Sequence, residues 1–163
     1  MRSRSAHHPL RRAHRRGVLV MLGVVCASAI GAICGVEALA EGRHADFKII
    51  VHPKNPVRAA SREVIADMFL KRVVAWRNGE TVKPVDQHQR SRVREVFSEH
   101  VLKRSVAAVR RYWQQRIFSG RDVPPPELES DRAVLRYVLK HEGAIGYVSA
   151  DFDAEGVHVL ALR

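Results

Sequence analysis

Cysteine is nearly missing from this 163-residue chain. Its two examples, Cys26 and Cys34, both sit in one apolar stretch near the N-terminus. Everything after residue 40 lacks a thiol, which excludes a disulfide framework, a Cys-ligated metal and thiol catalysis there. Gly23 and Gly31, not leucine, precede the cysteines by three residues, so no lipoprotein cleavage box is present. There is no phosphate-cradling glycine loop and no Gly-x-Ser-x-Gly elbow. Aromatic residues make up only 6% of the chain, and low complexity is confined to Pro124-Pro125-Pro126. Six histidines follow residue 40 (44, 52, 88, 100, 141 and 158) without metal-ligand spacing. Asp151 and Asp153 lack the glycine and terminal glutamate of a calcium loop. No metal, cofactor or enzymatic activity is therefore expected. Ser91 and His88 lie three residues apart in a tight turn with no acid to orient the imidazole, which does not make a nucleophile and base.

Acid is also missing from the first 36 residues, whereas residues 1–16 carry six arginines. Gly17 to Val36 is then apolar or small throughout, and Ala38-Leu39-Ala40 precedes Glu41. A basic start, an apolar run and an A-x-A end describe a secretory signal peptide cleaved after Ala40. The 20-residue run is long enough to cross a bilayer if retained, so residues 1–40 are read as a signal peptide or an N-terminal membrane anchor. Both place residues 41–163 outside the cytoplasm: periplasmic or secreted, or periplasmic and anchored in the inner membrane. Without residues 1–40 the 28 basic residues fall to 22 and the 17 acidic to 16, so the net charge drops from +11 to +6. That balance favours anionic partners. It is too sparse for a nucleic-acid footprint, and Tyr112 with Arg110 and Arg111 does not supply one.

Residues 41–163 suit one domain with a single core. Phe47–Val51 reads as a first strand, stopped by His52-Pro53 and Asn55-Pro56. Ser61 caps a helix reaching about Leu70, with Val64, Ile65, Met68 and Phe69 along one stripe. Trp76 anchors an irregular segment that turns at Asn78-Gly79, and 82–85 is a short strand. Ser91 opens a helix facing inward through Val93, Phe97 and Val101. Ser105 opens another through Val106, Val109, Trp113 and Ile117, ended by Gly120. Ser130 or Asp131 begins a fourth, with Val134, Leu135, Val138 and Leu139, closed by Gly143. Residues 144–148 and 157–162 are the last strands. Alternating strands and helices imply an α/β fold, a small mostly parallel sheet flanked by helices. Such sheets bind ligands where a strand's end feeds a helix start.

The turn Asp86-Gln87-His88-Gln89-Arg90-Ser91-Arg92-Val93-Arg94 is such a place. Three arginines crowd a helix start, where the macrodipole disfavours cations. They make chemical sense around an anion held by guanidinium forks, the Ser91 hydroxyl and the N–H groups of Arg92 and Val93. The candidate anion site is Arg90, Ser91, Arg92, Val93 and Arg94, with Gln87 and His88 behind it. The competing reading makes Ser91 a plain N-cap and leaves the arginines solvated or paired with Glu95 and Glu99.

Several strings resemble the periplasmic phosphate-binding proteins, the substrate-binding components of phosphate ABC transporters. They are Ile49 to Val57 with its Asn55-Pro56; Asp67 to Lys71 with Trp76-Arg77-Asn78-Gly79; Tyr112-Trp113 with Ile117 to Gly120; and Gly143-Ala144-Ile145-Gly146-Tyr147-Val148. They run in the family's order. The resemblance implies one lobe of a two-lobed type II periplasmic binding protein, with inorganic phosphate or a similar oxyanion as ligand. It also implies a membrane transporter or sensor protein as partner. The family's Ser-Gly-Thr helix start corresponds to Arg90-Ser91-Arg92, or to Ser91-Arg92-Val93 with a one-residue shift. Of its side chains Ser91 keeps the hydroxyl, while the glycine and threonine are replaced. The alternative is an envelope protein-interaction module that keeps the fold without the ligand. Nucleic acid is not an expected partner, and a membrane is expected only through residues 17–36 if they are retained.

Overall fold

The computed structural model describes residues 46–163; the expected leader, residues 1–40, lies outside the described residues. The first strand, β1 (Phe47–Val51), sits at the centre of a five-stranded sheet ordered β2-β7-β1-β6-β3. Its neighbours are β6 (Ala144–Ser149) and β7 (His158–Leu162), and β1 runs antiparallel to both, with Ile49 opposite Tyr147 and Leu160. The outer pairings are parallel: β2 (Ala59–Ala60) with β7, and β3 (Lys83–Pro84) with β6. A separate parallel pair joins β4 (Asp86–Gln87) to β5 (Glu127–Leu128). The α/β architecture thus has a mixed sheet. Parallel pairing is confined to two-residue strands, and the long central strand opposes its neighbours.

Alternation along β1 and β6 divides the core in two. Phe47, Ile49, Val51, Ile145 and Tyr147 face helices α1 (Arg62–Phe69), α2 (Arg92–His100) and α3 (Val106–Phe118). Ile50, Ala144 and Val148 face the other way, against Val134 and Val138 of α4 (Asp131–Lys140). Among the described residues both clusters lie between Phe47 and Leu162, and residues 40–163 form one compact unit. Among the described residues no helix is long and apolar enough to cross a membrane.

Three helices start as their serines predict. Ser61, Ser105 and Ser130 each accept the N–H three residues on, satisfying one orphan donor apiece. Three expected stripe positions face water instead: Val64 is 39% exposed, Ile117 50% and Leu139 41%. Each flanks rather than centres the buried arc of its helix. In α3 the inward arc is Val109 and Trp113, and Arg116 rather than Ile117 continues it, stacking over Tyr112 and pairing with Asp122.

Candidate functional site

The strand β4 and the start of α2 meet over a buried polar network. Arg94 points inward with 3% exposure. One guanidinium nitrogen lies 3.0 Å from Asp86 Oδ2; the other lies 2.8 Å from Glu127 Oε1 and also donates to the Gln87 carbonyl. Tyr147 stacks on Phe97 at 3.9 Å between ring centres and donates its hydroxyl to Asp86 Oδ1. The Gln87 N–H donates to the same oxygen at 2.9 Å. Gln87 Nε2 donates to Asp131 Oδ1 and to the Tyr147 carbonyl, at 2.6 and 3.0 Å. Two carboxylates and one carbonyl therefore consume the Arg94 charge. Asp86 and Gln87 are near Arg94 in sequence, but Glu127 lies 33 residues away on another element and leaves no local sign.

Burial pushes the Asp86 carboxyl above its ordinary value, against the pull of Arg94 and of the Tyr147 and Gln87 donors. Burial, then the Asp86 charge, raises the Tyr147 phenol well above 10. A raised native pKa means that the unfolded chain releases the proton first as pH rises. The phenol's contribution to stability is therefore complete below about pH 10 and declines above it. Urea unfolding between pH 8 and 11 is expected to show this decline, and Tyr147→Phe to flatten it. An equally steep decline in the variant would place the cause elsewhere.

The surface half of the network is the α2 start. Ser91 has the extended N-cap backbone, but its side chain caps nothing. Its hydroxyl instead donates to Gln87 Oε1 at 2.8 Å. Among the described residues no protein acceptor takes the amide N–H groups of Arg92, Val93 or Arg94. Arg90 is exposed and makes no ion pair among the described residues, while exposed Arg92 reaches Glu95 at 2.7 Å. Val93 buries its side chain in the core and leaves only its N–H for a ligand. His88 Nδ1 accepts the Arg90 N–H at 3.3 Å, which leaves Nε2 as the ring's donor. The predicted residues thus separate. Free amides, Ser91 and Arg90 stay at the surface; the Arg92 head turns to Glu95 and the Arg94 head turns inward.

A groove of about 370 Å³ opens beside them, lined by Arg90 and Ser91, by Glu95 and Glu99, and by Ser105 and Val106 at the α3 start. Two helix starts therefore border it, and two carboxylates temper its positive potential. A roomier cavity of about 660 Å³ lies elsewhere, between β2 and α1, walled by Val64, Met68 and Trp76. Trp76 itself is a core residue, donating its indole N–H to the Gly143 carbonyl at 2.9 Å.

No protein-family model matches this chain, and no curated protein matches it by sequence. Solved structures match it by shape. The first is named a phosphate ABC transporter substrate-binding protein, solved with bound phosphate, from Clostridium perfringens. It aligns with a TM-score of 0.58 at 19% identity, covering 72% of this chain and 44% of that one. PstS from Borrelia burgdorferi aligns with a TM-score of 0.56 at 9% identity, covering 72% and 47%. An ABC-type phosphate transport receptor from Vibrio cholerae gives 0.50 at 16%, covering 72% and 46%. The chain spans less than half the length of these structures. At such identities the shared property is the fold: this α/β domain has the architecture of one lobe of phosphate ABC transporter substrate-binding proteins.

Proposed function

We propose that this chain is an exported, single-lobe binding protein for phosphate or a similar small oxyanion, working beside a membrane transporter or sensor. The observation that carries it is the uncapped start of α2, where, among the described residues, the amides of Arg92, Val93 and Arg94 find no protein acceptor and the neighbouring Arg90 makes no ion pair. An anion there takes up orphan donors and the helix dipole together. Arg90 adds charge; the Arg94 amide contributes, while its guanidinium orients Gln87 from below.

Ser91 has a narrower role in this reading. Its O–H is already donated to Gln87 Oε1, so its oxygen has a lone pair left to accept with. A protonated phosphate oxygen can donate to that lone pair, and sulfate cannot. The open groove leaves the ligand partly hydrated, so binding in the micromolar-to-millimolar range is expected. Titration calorimetry of residues 41–163 is expected to give heat with phosphate and less with sulfate. Arg92→Pro is the diagnostic variant. Proline fits the first helical position without loss of the helix, yet removes one amide and one cation. It is expected to weaken phosphate about tenfold, on the scale of one charge-assisted hydrogen bond. No heat with millimolar phosphate would overturn the reading. It would leave the protein-interaction module, which the internal commitments of Ser91 and Arg94 favour.

A further inference from the structure

The stretch 103–121 carries six cations and no acid. Helix α3 turns Val109 and Trp113 into the core and leaves two outer ridges. One is Arg110, Gln114 and Ile117; the other is Arg111, Gln115 and Phe118. Spacings of four and three residues stack each ridge along one face. Phe118 is 91% exposed and Ile117 50%, and Val123 just beyond is 59% exposed. Arg110, Arg111 and Arg121 make no ion pair among the described residues. Exposed apolar side chains set among cations, with the neighbouring acid Asp122 already paired with Lys71 and Arg116, compose an interfacial surface.

We infer that the outer face of α3 and the turn after it dock on an anionic lipid bilayer. Ile117 and Phe118 enter the headgroup–acyl boundary, and Arg110, Arg111 and Arg121 meet lipid phosphates. Self-association through this face would set Arg110, Arg111 and Arg121 against the same three cations of the other copy, which argues against a second copy as occupant. Nucleic acid is a poorer fit, because bases stack on rings while Ile117 and Val123 are aliphatic. Its apolar end, Ile117 and Phe118, lies at the opposite end of α3 from Ser105 and Val106, and none of its residues lines the groove beside Ser91, so it does not rest on the anion reading. It would hold the domain at a membrane whether or not residues 17–36 are retained.

Residues 41–163 are mixed with vesicles of phosphatidylcholine alone or of phosphatidylcholine and phosphatidylglycerol at 3:1, and sedimented at low salt. The wild-type chain is expected to bind the anionic vesicles at least tenfold more tightly. Arg110→Gln with Arg111→Gln is expected to weaken this about 25-fold, roughly fivefold for each cation near the surface. Phe118→Ser is expected to weaken it about tenfold, and Phe118→Trp to shift its emission blue only with anionic vesicles. All three positions are exposed, so circular dichroism is expected to show each variant folded. Arg92→Pro is expected to bind vesicles like wild type even where phosphate binding fails. No sedimentation with anionic vesicles would overturn the inference. So would binding that Phe118→Ser leaves intact, or equal, Phe118-independent binding to soluble heparin, which would assign a polyanion instead.

Discussion

Arg94→Ala is expected to cost about 3–5 kcal/mol, the scale for breaking a buried ion pair from one side. Asp86 would keep its carboxylate at 6% exposure with the cation gone, and the Gln87 carbonyl would lose a donor. A domain of this size has about 5–15 kcal/mol in total, so the variant should be largely unfolded near 37 °C. Urea denaturation of Arg94→Ala, Asp86→Asn and the double variant measures the coupling. The double variant should be more stable than Arg94→Ala alone, because it removes the stranded charge. A loss below about 1 kcal/mol for Arg94→Ala would mean a solvated, surface-type pair. Arg94 would then return to the list of groups free to hold a ligand.

Gly143→Ala is expected to be the second severe change, at about 3 kcal/mol or more from backbone strain and overpacking together. Gly143 has φ +77°, and a Cβ there would lie 2.2 Å from the Thr81 carbonyl oxygen. The obstacle is backbone, so no rotamer change relieves it. The Gly143 carbonyl also accepts the Trp76 indole N–H and the Lys83 N–H, which tie the irregular segment and β3 to the sheet. Gly146→Ala offers a contrast. Its Cβ would meet Val134 Cγ1 at 2.6 Å and Val85 Cγ1 at 2.9 Å, both side-chain atoms. Overpacking of this kind costs about 1–3 kcal/mol. Val134→Ala in the same chain should recover part of that loss while recovering nothing in Gly143→Ala. Thermal unfolding of the four variants checks both statements, and rescue of Gly143→Ala by Val134→Ala would overturn the backbone explanation.

The two glycines differ in what the sequence reveals of them. Gly146 makes room for Val134 and Val85, which only packing brings to it, whereas Gly143 marks a left-handed turn, a need local enough to leave a residue type behind. The serines at 61, 105 and 130 were legible for the same reason, since a cap is made within three residues. The strands β2, β4 and β5 were not, because two residues cannot display a period. Ile117 misled the helical stripe because the burial of Arg116 depends on Tyr112 and Asp122, not on spacing.

At the candidate site the division is sharper. The composition of residues 86–94 determined that cations and a hydroxyl gather where a helix begins, and that positive dipole and positive side chains coincide there. Only the tertiary structure decided which of those groups remain free. Glu127, 33 residues along the chain, reaches Arg94 only through packing. Although Asp86 and Gln87 are near in sequence, it is the fold that turns Arg94 inward onto Asp86 and aims the Ser91 hydroxyl at Gln87. Charge and periodicity are properties of neighbours along the chain, whereas the direction in which a long cationic side chain points is set by whichever carboxylate the fold delivers beneath it.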